Sequence, residues 1–240
     1  ASVGGTAIFI ATEHVLDKAR AIAAHHLEAA EEDLEYVDGA FTVRGTPSRS
    51  MPIGEIAFGA FTAHDLPDGM EPGLSESVTW DPPNFTFPFG THVCVVEVDE
   101  ETGDVEILRY VAVDDCGNQI NPLVVEGQLH GGIAQGIAQA LYEDAVYDAD
   151  GNLQTTTFTD YLVPSAAEFR NFELDHTVTP SPTNPMGVKG IGEAGTIAST
   201  PAVMNAVVDA LAPFGVRDVT MPASPQHVWE AIRTARGAAS

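Results

Sequence analysis

The sequence has very few basic residues. Only 10 of its 240 residues are Lys or Arg, against 35 Asp or Glu, which gives a formal net charge of −25. The only lysines are Lys18 and Lys189. Such a charge repels the phosphates of nucleic acids and the headgroups of anionic lipids. We therefore expect no nucleic-acid partner, and the acidic excess along the whole chain favours a halophile-like protein.

Cysteine is also scarce. Cys94 and Cys116 lie within predicted strands and lack CxxC or Cys/His spacing, so this chain encodes neither a zinc site nor an iron–sulfur cluster. We expect buried free thiols and a reducing compartment, although the sequence leaves a disulfide between them open.

Long apolar runs are absent as well. No run approaches the roughly 18 to 20 residues of a membrane span, and the N-terminus lacks the pattern of a secretory signal. We expect a cytoplasmic protein without membrane contact. The chain opens on Ala1 rather than Met, which suggests a piece of a longer protein. Its 44% hydrophobic residues suffice for one sizeable core or two small ones.

Helical spacing predicts an amphipathic helix over 12–35, with Thr12 as its cap, and a second helix over 127–142. The second helix contains Gly131, Gly132 and Gly136, which cost about 1 kcal/mol each relative to alanine. We therefore expect another group to approach this helix closely. Two further helices are predicted, over 200–211 and after Ser224.

Strand patterns predict antiparallel hairpins. Their turns lie at Asp38-Gly39, at residues 101–103 and at Asp150-Gly151, and a further strand is predicted over 172–179. Residues 62–90 are rich in Pro and Gly and indicate an extended loop. Because strands and helices do not alternate regularly, the sequence predicts an α+β fold with antiparallel hairpins and packed helices.

Glu193 is the best candidate for a catalytic base. It lies in GVKGIGEAGT, where glycines leave a carboxylate able to face a ligand at short range. A solvent-facing helix cap is the alternative. Phosphate binding by this loop is a second alternative, but no strand leads into it and Glu193 stands where a phosphate would sit.

Three further positions are less specific. Gln128 could bind a polar ligand that Gly131 and Gly132 admit, or could simply stand near the start of a tightly packed helix. His130 fits a partly buried, satisfied histidine better than a ligand. Asp114 and Asp115 could bind a cation, but adjacent residues of a strand point to opposite faces, so we expect no metal site there.

Two long motifs resemble the large subunits of the xanthine dehydrogenase, aldehyde oxidase and aerobic carbon monoxide dehydrogenase family of molybdenum hydroxylases. They are VDDCGNQINPLVVEGQLHGGIAQGIAQALYE at 113–143 and NPMGVKGIGEAGTIASTPAVMNAVVDAL at 184–211, joined by a family-like TDYLVPSAAE segment. The resemblance covers essentially the whole chain. It implies that residues 1–240 form a C-terminal molybdopterin-binding domain of the aldehyde oxidase type.

The resemblance also implies residue roles. Glu193, the glutamate of KGxGE, corresponds to the family's active-site base, which removes a proton from the water-derived oxygen nucleophile. Gln128 of EGQ corresponds to a pterin contact, and Gly131 and Gly132 allow the close approach. Lys189 and Gly192 flank the base and shape its loop at the cofactor. The cofactor implied is molybdopterin, expected in its cytosine dinucleotide form.

The departures from the family concern what this chain lacks. The family's other cofactor loops, and the cysteine that holds copper in carbon monoxide dehydrogenases, are expected upstream, so copper at the molybdenum centre stays open. The isolated fragment is expected to be inactive. The resemblance implies an iron–sulfur small subunit and an FAD medium subunit as partners, assembled as a dimer of heterotrimers.

Three functions therefore stand beside one another. The first is a molybdenum-dependent oxidoreductase that hydroxylates or oxidises a small substrate of the aldehyde or carbon monoxide type. The second is a non-catalytic binding or scaffold protein derived from this fold, which a full-length gene without the cofactor loops would favour. The third is an independent module for a small ligand, which ligand binding without partner subunits would favour.

Overall fold

Helix α1, Ser2–Leu27, opens the part of the chain that the computed structural model describes, which is residues 2–238. The predicted start at Thr12 is wrong, because helical geometry begins ten residues earlier. Thr12 does not cap the helix but lies inside it, and its hydroxyl donates to the Ile8 carbonyl at 2.8 Å. The predicted end is also wrong, since α1 stops at Leu27 and a short 3₁₀ turn, Glu31–Asp33, follows.

An antiparallel sheet and a short helix follow α1. Strands β1, Leu34–Val37, β2, Ala40–Val43, and β3, Thr46–Pro52, pair in that order, and helix α2 spans Ile53–Thr62. The turn between β1 and β2 falls at Asp38-Gly39 as predicted, with both residues at positive φ. Buried residues of α1, β2 and α2 form one core cluster, whose largest members are Ile22, Phe41 and Ile56. Neither β3 nor α2 is predicted from the sequence.

The longest strands are β4, Phe89–Val98, and β5, Val105–Asp115, which form the predicted antiparallel hairpin. Strand β6, Glu173–His176, pairs with the other edge of β5 and runs parallel to it, a pairing that the predicted antiparallel hairpins do not include. The reason is the connection: the chain leaves β5, passes through a long helix and returns in the same direction, as parallel pairing requires.

Three helices complete the chain. They are α3, Pro122–Leu141, α4, Ala194–Leu211, and α5, Pro225–Ala238. The prediction placed the start of α3 five residues late. Asn121 caps α3 by accepting from the Val124 amide at 3.3 Å, and Pro122 occupies the first helical position. The prediction also placed the start of α4 six residues late, and Pro201 lies inside that helix.

The core of this region lies between the inner face of the β4–β5 hairpin and helices α3, α4 and α5. Its largest fully buried side chains are Tyr110, Ile133, Ile137, Val203, Val207, Leu211, Val228 and Ile232. The segment Ala194–Phe214 is long and apolar enough to cross a membrane by length and composition alone, which corrects the expectation that no such segment exists. Because its buried residues pack in this core, a helix of a folded domain explains the same composition.

The chain divides into two compact units, Ala1–Pro83 and Asn84–Ser240. All six residues predicted to form the site lie in the second unit. The assignment of residues 1–240 to one cofactor-binding domain stays a prediction. The observed architecture is α+β, as the sequence predicts. Both cysteines are free thiols, Cys116 buried and Cys94 half-buried.

Candidate cofactor site

Helices α3 and α4 pack at very short range through small residues. A Cβ atom on Gly132 would lie 2.9 Å from the Thr196 amide nitrogen, and one on Gly136 would collide with the Ser199 side chain. The Thr196 hydroxyl donates to the Gly132 carbonyl at 2.9 Å, and the Thr200 hydroxyl donates to the Gly136 carbonyl at 3.1 Å. The group that approaches the glycine-interrupted helix is therefore α4.

This pairing fixes the relative direction of the two helices. Residue numbers rise together along the contact, from Gly132 beside Thr196 to Gly136 beside Thr200, so α3 and α4 run parallel. The N-terminus of α4 at Ala194 therefore lies level with His130, near the midpoint of α3. Gln128 is one helical turn before Gly132 and consequently stands beside the loop that enters α4.

Glu193 occupies the N-cap position of α4. Its backbone has φ −113° and ψ −7°, and its side chain makes no capping hydrogen bond. The residue is exposed, and within residues 2–238 its carboxylate has neither a hydrogen-bond partner nor an ion-pair partner. Glu193 therefore stands at the N-cap position, but its side chain does not cap the helix by a hydrogen bond. A carboxylate without a partner at the start of a helix is available to a ligand.

The structure brings Gln128, Gly192 and Glu193 together. A Cβ atom on Gly192 would lie 3.3 Å from the Gln128 side-chain oxygen, so this glycine allows the loop to pass close to the amide. Gln128 is exposed. Gly131 is also exposed and faces open space, because no atom lies within 4 Å of the position that a Cβ would take. These four positions line one open edge where α3 meets the start of α4.

Gly132 and Lys189 lie elsewhere. Gly132 faces α4, so its missing Cβ serves helix packing and does not open space for a ligand. The Lys189 side chain is only 7% exposed, and its ammonium lies 3.0 Å from Asp115 Oδ1. The expected direct contacts of these two residues with a cofactor stay predictions, and the geometry gives each of them another partner.

Asp114 and Asp115 point to opposite sides of β5, as their adjacency predicts. Asp114 accepts from His92 at 3.0 Å, and the other nitrogen of that ring lies 2.8 Å from the Tyr110 hydroxyl. Asp115 accepts from Lys189 and from the Gly117 amide. Among residues 2–238, no three His, Cys, Asp or Glu side chains are grouped so as to hold a metal ion.

That His130 is a satisfied histidine rather than a ligand stays a prediction, and the structure gives its ring two neighbours. Its ring stacks on Phe172 with centroids 5.5 Å apart, and its Nε2 lies 3.8 Å from Glu126. The sequence reasoning considered Asp115 only as a possible cation ligand and missed its contact with Lys189, and it did not single out Asn184, which hydrogen-bonds the backbone of Val188. The Asp-Asp-Cys-Gly run at the end of a predicted strand was the available signal for Asp115, because a buried acid there needs a cation.

Comparison with known proteins places these features in a family. Residues 1–170 match the family model described as the molybdopterin cofactor-binding domain. Over 231 residues the chain is 45% identical to the carbon monoxide dehydrogenase large chain of Hydrogenophaga pseudoflava, covering 96% of this chain and 28% of that protein. It is 40% identical over 234 residues to the nicotine 6-hydroxylase large subunit of Paenarthrobacter nicotinovorans, covering 97% and 29% respectively.

A solved structure agrees with this likeness. The Cu,Mo-CO dehydrogenase crystal structure in its carbon monoxide reduced state superposes with a TM-score of 0.90 at 38% identity, over 97% of this chain and 29% of that one. The chain thus spans less than a third of the length of the relatives that it matches. The sequence match and the shared α+β architecture lead to one conclusion: the chain belongs to the molybdopterin cofactor-binding domain family of molybdenum hydroxylase large subunits.

Proposed function

We propose that this chain is the C-terminal part of the large subunit of a molybdenum hydroxylase, with Glu193 as its catalytic base. The observation that carries the proposal is the exposed Glu193 carboxylate, which has no partner among the described residues and stands beside Gln128 at the start of α4. A structural glutamate at this position would be expected to cap the helix or pair with a cation.

The residues at this edge fit molybdopterin, a polar and anionic cofactor. The start of α4 carries the positive end of a helix dipole, which favours anionic groups. Gln128 offers an amide that both donates and accepts hydrogen bonds. Gly131 and Gly192 leave space that a side chain would fill. We propose Gln128, Gly131 and Gly192 as contacts of the cofactor in this chain.

When bound, the cofactor would supply a metal centre that transfers a water-derived oxygen to the substrate and takes up two electrons. The part of Glu193 is to accept the proton from that oxygen through its free carboxylate. Such a base contributes about 10²- to 10⁴-fold to the rate. Gln128 orients the bound group, and the loop before Glu193 holds the carboxylate in reach.

The relatives support a proposal for the substrate class. The two relatives described above are named as a carbon monoxide dehydrogenase and a nicotine 6-hydroxylase, and this chain matches part of the large subunit of each. We propose oxidation or hydroxylation of a small carbon substrate of the aldehyde or carbon monoxide type. We propose copper beside the molybdenum only if the substrate is carbon monoxide, because the similar solved structure is described as a Cu,Mo-CO dehydrogenase.

Partner subunits are part of the same proposal. Electrons taken up at the cofactor need a path out, and the described residues hold no cluster of metal-ligating side chains. We propose an iron–sulfur small subunit and an FAD medium subunit as partners in a cytoplasmic dimer of heterotrimers. The isolated 240 residues are expected to bind the cofactor weakly, because they span less than a third of each relative's length.

The test compares Glu193→Gln with wild type in the purified full-length complex. The change is nearly isosteric and removes the base, so turnover of carbon monoxide or aldehyde should fall by about 10² or more while molybdenum content stays the same. Glu97→Gln, at an exposed glutamate of β4, is the matched control and should change neither quantity. Unchanged turnover in Glu193→Gln would exclude this residue as the base. A wild-type complex without molybdenum would refute the enzyme proposal and favour a binding protein.

A further inference from the structure

One of the two lysines of this acidic chain is buried. The Lys189 ammonium lies 3.0 Å from Asp115 Oδ1, and the two side chains are 7% and 0% exposed. On another side the ammonium stands 4.4 Å from the centroid of the Phe89 ring, within the range of a cation–π contact. Lys189 is thus enclosed between a carboxylate and an aromatic face.

The Asp115 carboxylate is fully satisfied by fixed donors. Besides Lys189, its Oδ1 accepts from the Gly117 amide at 2.9 Å, and its Oδ2 accepts from the Thr177 hydroxyl at 3.0 Å. Burial opposes ionisation, but the hydrogen bonds from the Gly117 amide and from Lys189 outweigh it and hold the pKa of Asp115 well below its usual value. The Asp115 carboxylate is therefore ionised at neutral pH.

The backbone around Lys189 is attached to the chain just after β5. The Lys189 amide donates to the Cys116 carbonyl at 2.8 Å, and the Asn118 amide donates to the Gly187 carbonyl at 3.0 Å. The contact is so close that a Cβ atom on Gly117, which has φ +67°, would collide with the Gly187 carbonyl. Buried Asn184 closes the same loop by accepting from the Val188 amide and donating to the Val188 carbonyl.

Only residues 190–192 separate this attachment from Glu193. On the C-terminal side of Glu193, Gly195 packs against the backbone of α3. A Cβ atom built on Gly195 would lie 2.8 Å from the Leu129 carbonyl oxygen. Gly190 and Gly192 are exposed, in contrast to Gly187 and Val188, which are buried. Lys189 is consequently the last residue before the base whose side chain is held by an ion pair.

We propose that the Asp115–Lys189 ion pair is a positioning device that fixes the loop carrying Glu193, and that Lys189 acts through this pair rather than as a cofactor ligand. The inference rests on the proposed function, because the loop position matters only if Glu193 reacts. Burying an ion pair is a weak source of stability compared with apolar packing. Its charge-assisted hydrogen bond, however, fixes two groups in one geometry.

The neighbouring residue of β5 provides a matched control. Asp114 is also buried and also pairs with a basic side chain, His92, but on the opposite side of the strand and away from the loop. Asp114→Asn therefore removes a buried carboxylate from the same strand without touching the Glu193 loop. Any effect of lost buried charge in general will appear in both variants.

The experiment measures backbone hydrogen exchange of residues 187–193 together with kcat and KM in the full-length complex. Asp115→Asn and Lys189→Met should speed exchange of this segment about tenfold or more, corresponding to a tenfold shift in its opening equilibrium. A misplaced base should lower kcat by about 10², with KM unchanged within about twofold. Asp114→Asn should leave exchange in this segment unchanged. Lys189→Arg, which keeps the charge, should restore most of both losses.

Two results would overturn the inference. The first is unchanged exchange of residues 187–193 in folded Asp115→Asn or Lys189→Met. The second is faster exchange with normal kcat, which would show that the pair holds the loop but does not position the base. If the single variants do not fold, the double variant Asp115→Asn with Lys189→Gln, which leaves no unpaired buried charge, is measured under the same criteria. Exchange does not depend on turnover, so it judges this inference separately from Glu193→Gln.

Discussion

Replacing Gly195 by alanine is expected to weaken the contact between α3 and α4 and to displace the start of α4. The new Cβ atom would lie 2.8 Å from the Leu129 carbonyl oxygen and 2.9 Å from the Ile133 amide nitrogen. Both neighbours are backbone atoms of a regular helix and cannot rotate away. The helix itself would have to move by several tenths of an ångström.

The magnitude follows from two opposing effects. Overpacking a tight contact costs about 1–3 kcal/mol, and the upper part of this range applies because the neighbours are rigid. Alanine gains at most about 1 kcal/mol over glycine in a helix, and less in the first turn, where Gly195 lies. The net loss should be about 1–2 kcal/mol, a factor of about 5–30 in the opening equilibrium.

Hydrogen exchange of the α3 amides in the full-length protein measures this equilibrium directly. Gly127→Ala in α3 is the control, because nothing lies within 4 Å of its Cβ position. That change should slow exchange by up to about fivefold through helix propensity alone. Opposite signs for the two substitutions support the packing argument. If both substitutions slow exchange, the close contact at Gly195 is refuted.

Three further predictions use other parts of the same region. The pKa of Asp115 is lower in the folded protein than its unfolded value of about 3.9, so the stability it contributes is present above that value and is lost as pH falls towards the folded pKa. Protection of the residue 187–193 amides against hydrogen exchange should therefore be constant from about pH 7 to 5 and decrease below about pH 4. In Asp115→Asn this decrease should be absent. Burial raises the pKa of the Cys94 thiol to about 11, so iodoacetamide at pH 8 should alkylate it at least about 100-fold more slowly in native protein than in urea. The pair of Arg109 and Glu173 is bidentate but exposed to solvent, so Arg109→Ala should leave the free energy of unfolding, measured by urea denaturation, nearly unchanged.

Local signals in the sequence were sufficient for the elements that depend on local chemistry. The Asp38-Gly39 turn and the β4–β5 hairpin appear as predicted, because positive-φ turn residues and strand patterns act over a few positions. The starts of the helices were missed where tertiary packing extends them. Helix α4 begins six residues before the predicted Thr200, because Ala194, Gly195 and Ser199 are buried there, the last two against the glycines of α3.

The parallel pairing of β5 and β6 could not be obtained in the same way. A four-residue strand carries no information on the direction of its partner, and the partner precedes it by more than fifty residues. The meeting of Gln128 with the Glu193 loop has the same origin. The two motifs are far apart in sequence, and only the close contact of Gly132 and Gly136 with α4 sets them side by side.

Glycine has two different roles in this site. Glycine-rich segments suggest room for a ligand, and Gly131 and Gly192 fit that interpretation because they are exposed beside Gln128. Gly132 and Gly195 instead bring two helices into backbone contact, which fixes the end of α4 that carries Glu193. A catalytic carboxylate needs both: open space in front of it, and a rigid support behind it that keeps it within reach of the reacting atoms. Glycine therefore provides both the open space and the close helix packing in this segment. Only the atoms that a Cβ at each position would meet show which of the two a given glycine provides.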